Sequence, residues 1–309
     1  IFAPMQKKRA AHWGVLCTNL FFAANFSLVK MVSPRLILPF GLNALRVGGS
    51  LLLFWALWAL SHTPAGIRRR HWGRFAACAL TGVAINQMLF IKGLTLTSTI
   101  HASLLMLCTP LLITLVAWWA LKEKLTPLKL SGLLLGAAGA ALLVASRNKS
   151  AYAPAPLLGD TLIVINAVSY SLYFVLVRPL MQEYSAVHVI RWVFTLGFFM
   201  VLPFAWKEVA TTSFTSFTTQ EGFITAAIII TGTFLAYYFN AVGIQVLGAS
   251  VTGAYIYMQP VFAAVIAAIV FGEAISVQQG LAAAFIFTGV YLATSRKNTA
   301  SVTGTENGF

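Results

Sequence analysis

The sequence predicts an all-α integral membrane protein whose ten transmembrane helices form two inverted five-helix repeats. Composition is the first reason. Of 309 residues, 59% are hydrophobic and 9% charged, and mean hydropathy is +0.83, whereas soluble domains carry about 25% charged residues. Punctuation is the second, because charged or turn-rich stretches divide the chain into apolar runs of the roughly 20 residues that cross a bilayer. The third is an internal duplication: Pro110 and Glu123 recur as Pro260 and Glu273, displaced by 150 residues. The same gapless shift superimposes Ala76-Ala77 on Ala226-Ala227, Thr81-Gly82 on Thr231-Gly232, Gly93 on Gly243, Ala117 on Ala267, Gly139 on Gly289 and Leu142 on Leu292. Two apolar halves of similar sequence are a common plan for membrane carriers.

The expected spans are 12–32, 40–61, 73–94, 98–121 and 127–146 in the first half, then 157–180, 187–206, 221–246, 249–271 and 276–295 in the second. An N-terminal segment, 1–11, precedes them, with residues 1–4 ahead of Met5 reading as a cloning remnant. The repeats are assigned to 12–147 and 157–297, joined by a linker at 148–156 that holds Pro154 and Pro156, and the polar tail 298–309 is expected to be disordered. Loops 62–72 and the Thr- and Ser-rich 207–220 are the other long connections, too short for a soluble catalytic domain. The first apolar run is too long for a signal-peptide core and is followed by further spans, so no cleaved leader is expected. Five spans per repeat is an odd number, so the second copy must enter from the opposite face.

Lys and Arg number 21 against 7 Asp and Glu, giving a net charge of +14. The basic residues lie in short clusters between apolar runs, which is the cytoplasmic-loop bias of a polytopic protein and not a nucleic-acid-binding face. With the N-terminus inside, the cytoplasmic side receives Lys7, Lys8, Arg9, Arg68, Arg69, Arg70, Arg74, Lys122, Lys124, Lys129, Arg178, Arg191, Arg296 and Lys297. That places both termini in the cytoplasm. Cys17, Cys78 and Cys108 sit in apolar runs without CxxC spacing and read as core residues, so neither a disulfide framework nor a metal site is expected.

The segments LTSTIHASLLMLCTPLLITLVAWWALKEKLTPLKLSGLLLGAAGAALLVASR and LGASVTGAYIYMQPVFAAVIAAIVFGEAISVQQGLAAAFIFTGVYLATSR resemble the closing three helices of an EamA-type repeat of the drug/metabolite transporter superfamily. The shared marks are the small-residue helix start, the proline within the helix, the glutamate at its end and the Gly-rich helix that follows. The resemblance covers nearly residues 12–297. It implies a ten-helix alternating-access carrier of small metabolites with a cavity between the halves, most similar to bacterial exporters of amino acids and metabolites. A bacterial inner-membrane location follows from it, with a small solute and the lipid bilayer as partners, no cofactor, no nucleic acid, and a monomer or weak homodimer. Sugar, nucleotide-sugar and other organic-solute exchangers belong to the same superfamily and form the alternative.

Pro110 and Pro260 each remove a backbone donor, so both helices are expected to kink, either as gating hinges or as fixed bends. Glu123 and Glu273 fall at span ends, where a helix cap or a partner for a nearby base is a better reading than proton coupling. Gly132, Gly136 and Gly139, among alanines, form a close-packing face within the bundle or at a dimer contact. Trp55, Trp58, Trp118, Trp119 and Trp206 read as interface anchors.

Polar and aromatic residues at mid-span depth are the cavity candidates, because unpaired polar groups are costly against lipid. They are Asn19, Asn25, Asn86, Gln87, His101 and Ser103 in the first half, and Asn166, Tyr170, Tyr173, Tyr237, Tyr238, Asn240, Tyr255, Tyr257 and Gln259 in the second. Asn166, Tyr170 and Tyr173 share one helix face by their spacing. Gln87 superposes on Tyr237, Phe90 on Asn240, Leu105 on Tyr255 and Leu107 on Tyr257, so the cavity should be asymmetric. Arg46 and Arg191, near the start of the second helix of each half, match an arginine of the family pattern. They read as boundary residues that position a helix at headgroup level, with carboxylate binding as the other reading. His101 is read as a lining group and not as a proton-coupling one. An intramembrane enzyme would need paired acids, a Ser/His arrangement or His/Asp metal ligands at membrane depth, and the sequence shows none of them; without a GxxxxGK[ST] loop, primary pumping would need another chain. The chain therefore reads as a carrier and not an enzyme.

Overall fold

In the computed structural model the chain is described over residues 2–61, 66–97, 102, 105–145, 154–271 and 277–294. Its helices are α1 (Phe2–Val32), α2 (Pro39–Ala59), α3 (Arg69–Leu96), α4 (Cys108–Leu121), α5 (Pro127–Ala145), α6 (Pro156–Glu183), α7 (Ala186–Ala210) and α8 (Thr219–Leu247). A ninth, α9, is built from Ala249–Ala254, a 3-10 turn at Tyr255–Tyr257 and Met258–Phe271, and α10 is Val277–Thr294. No strand occurs among the described residues. By length and composition α2, α3, α6, α7 and α8 each suffice to cross a bilayer, and shorter apolar helices lie at Cys108–Leu121, Pro127–Leu142 and Gly280–Thr294.

The helices start where the sequence supplies a stop or a cap. Proline occupies the first turn of α2 and of α6, where its missing N–H costs nothing. A capping box joins Thr218 and Glu221 at the start of α8, and the Ser185 hydroxyl accepts from the His188 amide at the start of α7.

The halves interleave with two-fold symmetry. Helix α2 packs on its counterpart α7, α4 on α9 and α5 on α10, while α1 packs on α8 and α9 as α6 packs on α3 and α4. Exchanging the halves leaves that pattern unchanged, which is what two copies related by an axis in the membrane plane require. The largest buried cluster draws Phe54 and Phe75 from one half and Phe174, Phe194 and Tyr237 from the other. Neither half has a core of its own.

Close approach is most extreme between α5 and α10. A Cβ built on Gly132 would lie 2.6 Å from the Ala293 nitrogen, one on Gly139 2.8 Å from the Ala282 oxygen, and one on Gly289 2.5 Å from the Gly136 nitrogen. The glycine face expected from the sequence therefore serves the bundle itself.

Polar contacts sort into two ends. At one, Arg68 and Arg70 pair with Glu183, Arg178 donates to the Ile244 and Gln245 carbonyls, and Glu123 accepts from Ser250 at 2.5 Å and from Lys129 at 3.5 Å. At the other, Arg35 pairs with Glu221, Glu208 accepts from the Gly41 amide at 2.8 Å, and Asp160 accepts from Thr97 at 2.5 Å. Every described carboxylate is engaged at one end or the other. Glu123 has a nearby base in Lys129, while its bond to the Ser250 side chain reaches across to the start of α9 in the opposite half; Gly248, just before α9, has φ +97°, a conformation open to glycine. Glu273 lies outside the described residues.

Two expectations change. Pro110 and Pro260 do not sit mid-helix: each is the third residue of a helical segment, beginning at Cys108 and at Met258, after a break at Leu107 and at Tyr255–Tyr257. Where an interior proline would leave a carbonyl unpaired, both copies restart the helix and place the proline in the first turn. Trp55 and Trp58 are not membrane anchors but surround Arg191, whereas Trp118, Trp119 and Trp206 are exposed as expected.

Candidate functional site

The site is shaped by an irregularity that both repeats share. Leu80–Ala84 of α3 and Ile230–Leu235 of α8 are π-helical, 150 residues apart and each containing the Thr-Gly pair. A π turn widens the helix and frees backbone groups. The first helix of the opposite half fills the space: Tyr173 lies against Gly82, and Asn25 against Gly232, closely enough that a Cβ on either glycine would sit 2.3 Å from the neighbouring side chain. Just beyond each bulge a carbonyl accepts from that helix, Asn86 from Asn166 at 2.6 Å and Ala236 from Thr18 at 3.1 Å.

Between the bulges is a cavity of about 70 Å³, lined by Phe22, Asn25, Arg46, Asn86, Gln87, Phe90, Met106, Asn166, Tyr170, Tyr237, Ile256 and Gln259. Residues of both halves contribute. That exceeds the roughly 10–15 Å³ needed to hold a single water. Arg46 is seven residues from the start of α2, Phe90 six from the end of α3 and Asn166 ten from the start of α6, so the cavity lies toward the end that carries Arg35, Glu208 and Asp160.

Hydrogen bonds hold the walls. Asn240 donates to the Tyr170 hydroxyl at 2.6 Å, and Gln259 donates to Asn19 Oδ1 at 2.9 Å. Tyr237 reaches Asn86 Oδ1 at 3.3 Å. Arg46 Nε donates to Thr233 Oγ1 at 3.0 Å, a hydroxyl on the π segment of α8.

Of the residues singled out from the sequence, Asn25, Asn86, Gln87, Asn166, Tyr170, Tyr237 and Gln259 line the cavity. Asn19 and Asn240 stand behind them as supports. Tyr173 is one turn further along α6, stacked parallel to Tyr170 with ring centroids 6.1 Å apart. Tyr238 lies outside the lining, and Tyr255 hydrogen-bonds His12 at 2.7 Å. Tyr257 is fully buried against Gly136, away from the cavity, because the 3-10 turn turns it aside while Ile256 and Gln259 face inward. His101 and Ser103 lie outside the described residues.

Arg46 is not at headgroup level: it is 4% exposed and part of the cavity wall. Arg191, fully buried, has its guanidinium carbon 3.9 Å from the Trp58 ring centroid, 4.8 Å from Trp55 and 5.6 Å from Trp192, and its Nη2 lies 3.1 Å from His188 Nδ1. Cation–π contact and desolvation make this a structural cage. Phe22, Phe90, Met106 and Ile256 also line the cavity without having been singled out as site residues; only the pairing of Phe90 with Asn240 across the repeat pointed to one of them.

Ten apolar helices in two interleaved repeats, enclosing a polar and aromatic cavity at membrane depth, define a multi-pass membrane transporter for a small molecule. The EamA-like transporter family model matches residues 9–145 and 157–295. The chain belongs to that family. It is similar to an uncharacterized transporter of Archaeoglobus fulgidus, 24% identical over 293 residues, covering 93% of this chain and 98% of that protein. It is also similar to the uncharacterized transporter YetK of Bacillus subtilis, 24% identical over 220 residues, covering 71% of this chain and 67% of that one. A solved crystal structure shares the fold with a TM-score of 0.76 at 21% identity, covering 93% of this chain and 98% of the other.

Proposed function

We propose that this protein is a secondary carrier that exports amino acids or related zwitterions from the cytoplasm across the cell membrane by alternating access. The make-up of the cavity carries this reading. Amide and hydroxyl groups stand beside Phe22, Phe90, Met106 and Ile256, a combination that suits a solute with both polar and apolar parts. Both termini are cytoplasmic in this proposal, which the basic loops support; the cavity then faces outward.

Loading from the cytoplasmic end requires the two halves to rock. The helix breaks before Pro110 and Pro260 give α4 and α9 places to bend without rupturing a continuous hydrogen-bond ladder. Proton coupling is not part of the proposal, since the described carboxylates are all at the ends. Reconstitution in liposomes with a panel of radiolabelled amino acids, with and without a pH gradient, tests the reading. Movement of one or more amino acids without a gradient is expected; movement of a nucleotide sugar and of no amino acid refutes it.

A further inference from the structure

Four side-chain atoms on the cavity-lining residues are buried without a hydrogen-bond partner among the described residues: Arg46 Nη1, Gln87 Oε1, Asn25 Oδ1 and Asn166 Oδ1. Buried polar atoms are almost always paired, so a group of orphans around one cavity marks where a guest supplies the partners. Their chemistry is divided. Arg46 donates; the three oxygens accept.

Arg46 sets the charge of the guest. Its Nε is fixed on Thr233 at 3.0 Å, so the guanidinium is oriented while Nη1 remains free. No described carboxylate neutralises it, since each is engaged at an end of the bundle. A guanidinium held at 4% exposure without a counter-charge favours an anion, and its planar fork matches a carboxylate. A simple carboxylate would nevertheless leave the acceptor oxygens unpaired. An ammonium group on the same molecule supplies three donors to them.

We infer that Arg46 binds the α-carboxylate of the solute and that the side-chain oxygens of Asn25, Gln87 and Asn166 receive its α-ammonium. The site thus selects solutes with both head groups, with the apolar walls left for the side chain. This rests on the amino-acid carrier reading and adds to it the residue that recognises the carboxylate.

The test is thermal stabilisation of the purified, detergent-solubilised protein by L-alanine, L-threonine, L-leucine and L-phenylalanine, each compared with its α-amide and its deaminated acid. At least one amino acid should stabilise the wild type, its amide should bind about 10- to 100-fold more weakly, as loss of one charge-assisted contact implies, and Arg46→Gln should remove the response. Arg46→Lys should retain part of it. Equal binding of an amino acid and its amide overturns the role of Arg46 while leaving the carrier reading intact. If no amino acid binds but a deaminated acid does, and Arg46→Gln abolishes that binding, the carboxylate site stands and the amino-acid reading falls. If nothing with a carboxylate binds, both fall. Should Arg46→Gln fail to give a monodisperse protein, the wild-type comparison of acid and amide decides alone.

Discussion

Replacing Gly289 by alanine should destabilise the protein, although alanine is the better helix former. A Cβ there would lie 2.5 Å from the Gly136 nitrogen, 2.6 Å from the Gly132 oxygen and 2.7 Å from the Gly136 Cα. All three are backbone atoms, which no rotamer change can move aside. Restoring an ordinary separation of about 3.4 Å or more requires α5 and α10 to part by roughly 1 Å along their closest seam, and overpacking of this kind costs about 1–3 kcal/mol. Gly280 on the same helix is the internal control, since a Cβ there meets nothing within 4 Å. Gly280→Ala should gain up to about 1 kcal/mol from helix propensity. The two variants, compared by thermal unfolding in one detergent, should therefore move in opposite directions, with a fall on the order of 5 °C for Gly289→Ala. If Gly289→Ala unfolds at or above the wild-type temperature, the α5–α10 seam is not backbone-limited and the packing account is wrong.

Other substitutions test separate features. Tyr257→Phe removes a buried hydroxyl that has no hydrogen-bond partner among the described residues, so it should leave stability unchanged or raise it by about 1 kcal/mol and leave transport intact; a selective loss of transport would return Tyr257 to the substrate path. Glu123→Gln weakens the contact with Ser250 that ties the two halves at the start of α9, and a loss of about 1–2 kcal/mol in thermal or denaturant unfolding is expected. In a background lacking Cys17, Cys78 and Cys108, Ser216→Cys should react with an impermeant maleimide on intact cells and Lys122→Cys only after permeabilisation; labelling from one side would refute the inverted topology.

The helices and the duplication were legible because bilayer thickness and gapless internal similarity are written directly in composition and spacing. The end residues Glu123 and Asp160 were legible for the same reason: a charge at the edge of an apolar run has few places to go. Depth within the bundle was not. Arg46 lies only seven residues inside α2, a position where a basic side chain ordinarily snorkels to the surface, and its burial depends on Thr233, which a local widening of α8 brings to it. Arg191 differs from Arg46 in sequence by its neighbours His188 and Trp192, but the other two tryptophans of its cage, Trp55 and Trp58, come from α2, and only the packing of α2 on α7 reveals them. Tyr257 was singled out for its depth in the span alone, and depth does not say which face a side chain takes: the 3-10 turn at Tyr255–Tyr257 sets it against Gly136. The repeated Thr-Gly pair was visible, but its meaning as a π segment depends on what packs against the glycine, Tyr173 in one copy and Asn25 in the other.

Those two π segments are places where the helix carries one residue more than a regular ladder needs. The wide turn absorbs it, so that α3 resumes its course beyond Ala84 with Asn86, Gln87 and Phe90 on the cavity wall. Deleting one residue within Leu80–Ala84 would let the turn relax to a regular ladder and leave those three in phase, but it would close the widening in which Tyr173 lies against Gly82. Adding a further residue, which the turn has already spent its slack to accommodate, would rotate everything beyond it by about 100°. Length in these stretches is therefore specific in one direction: a lost residue costs the fit between α3 and α6, and a gained one costs the cavity wall.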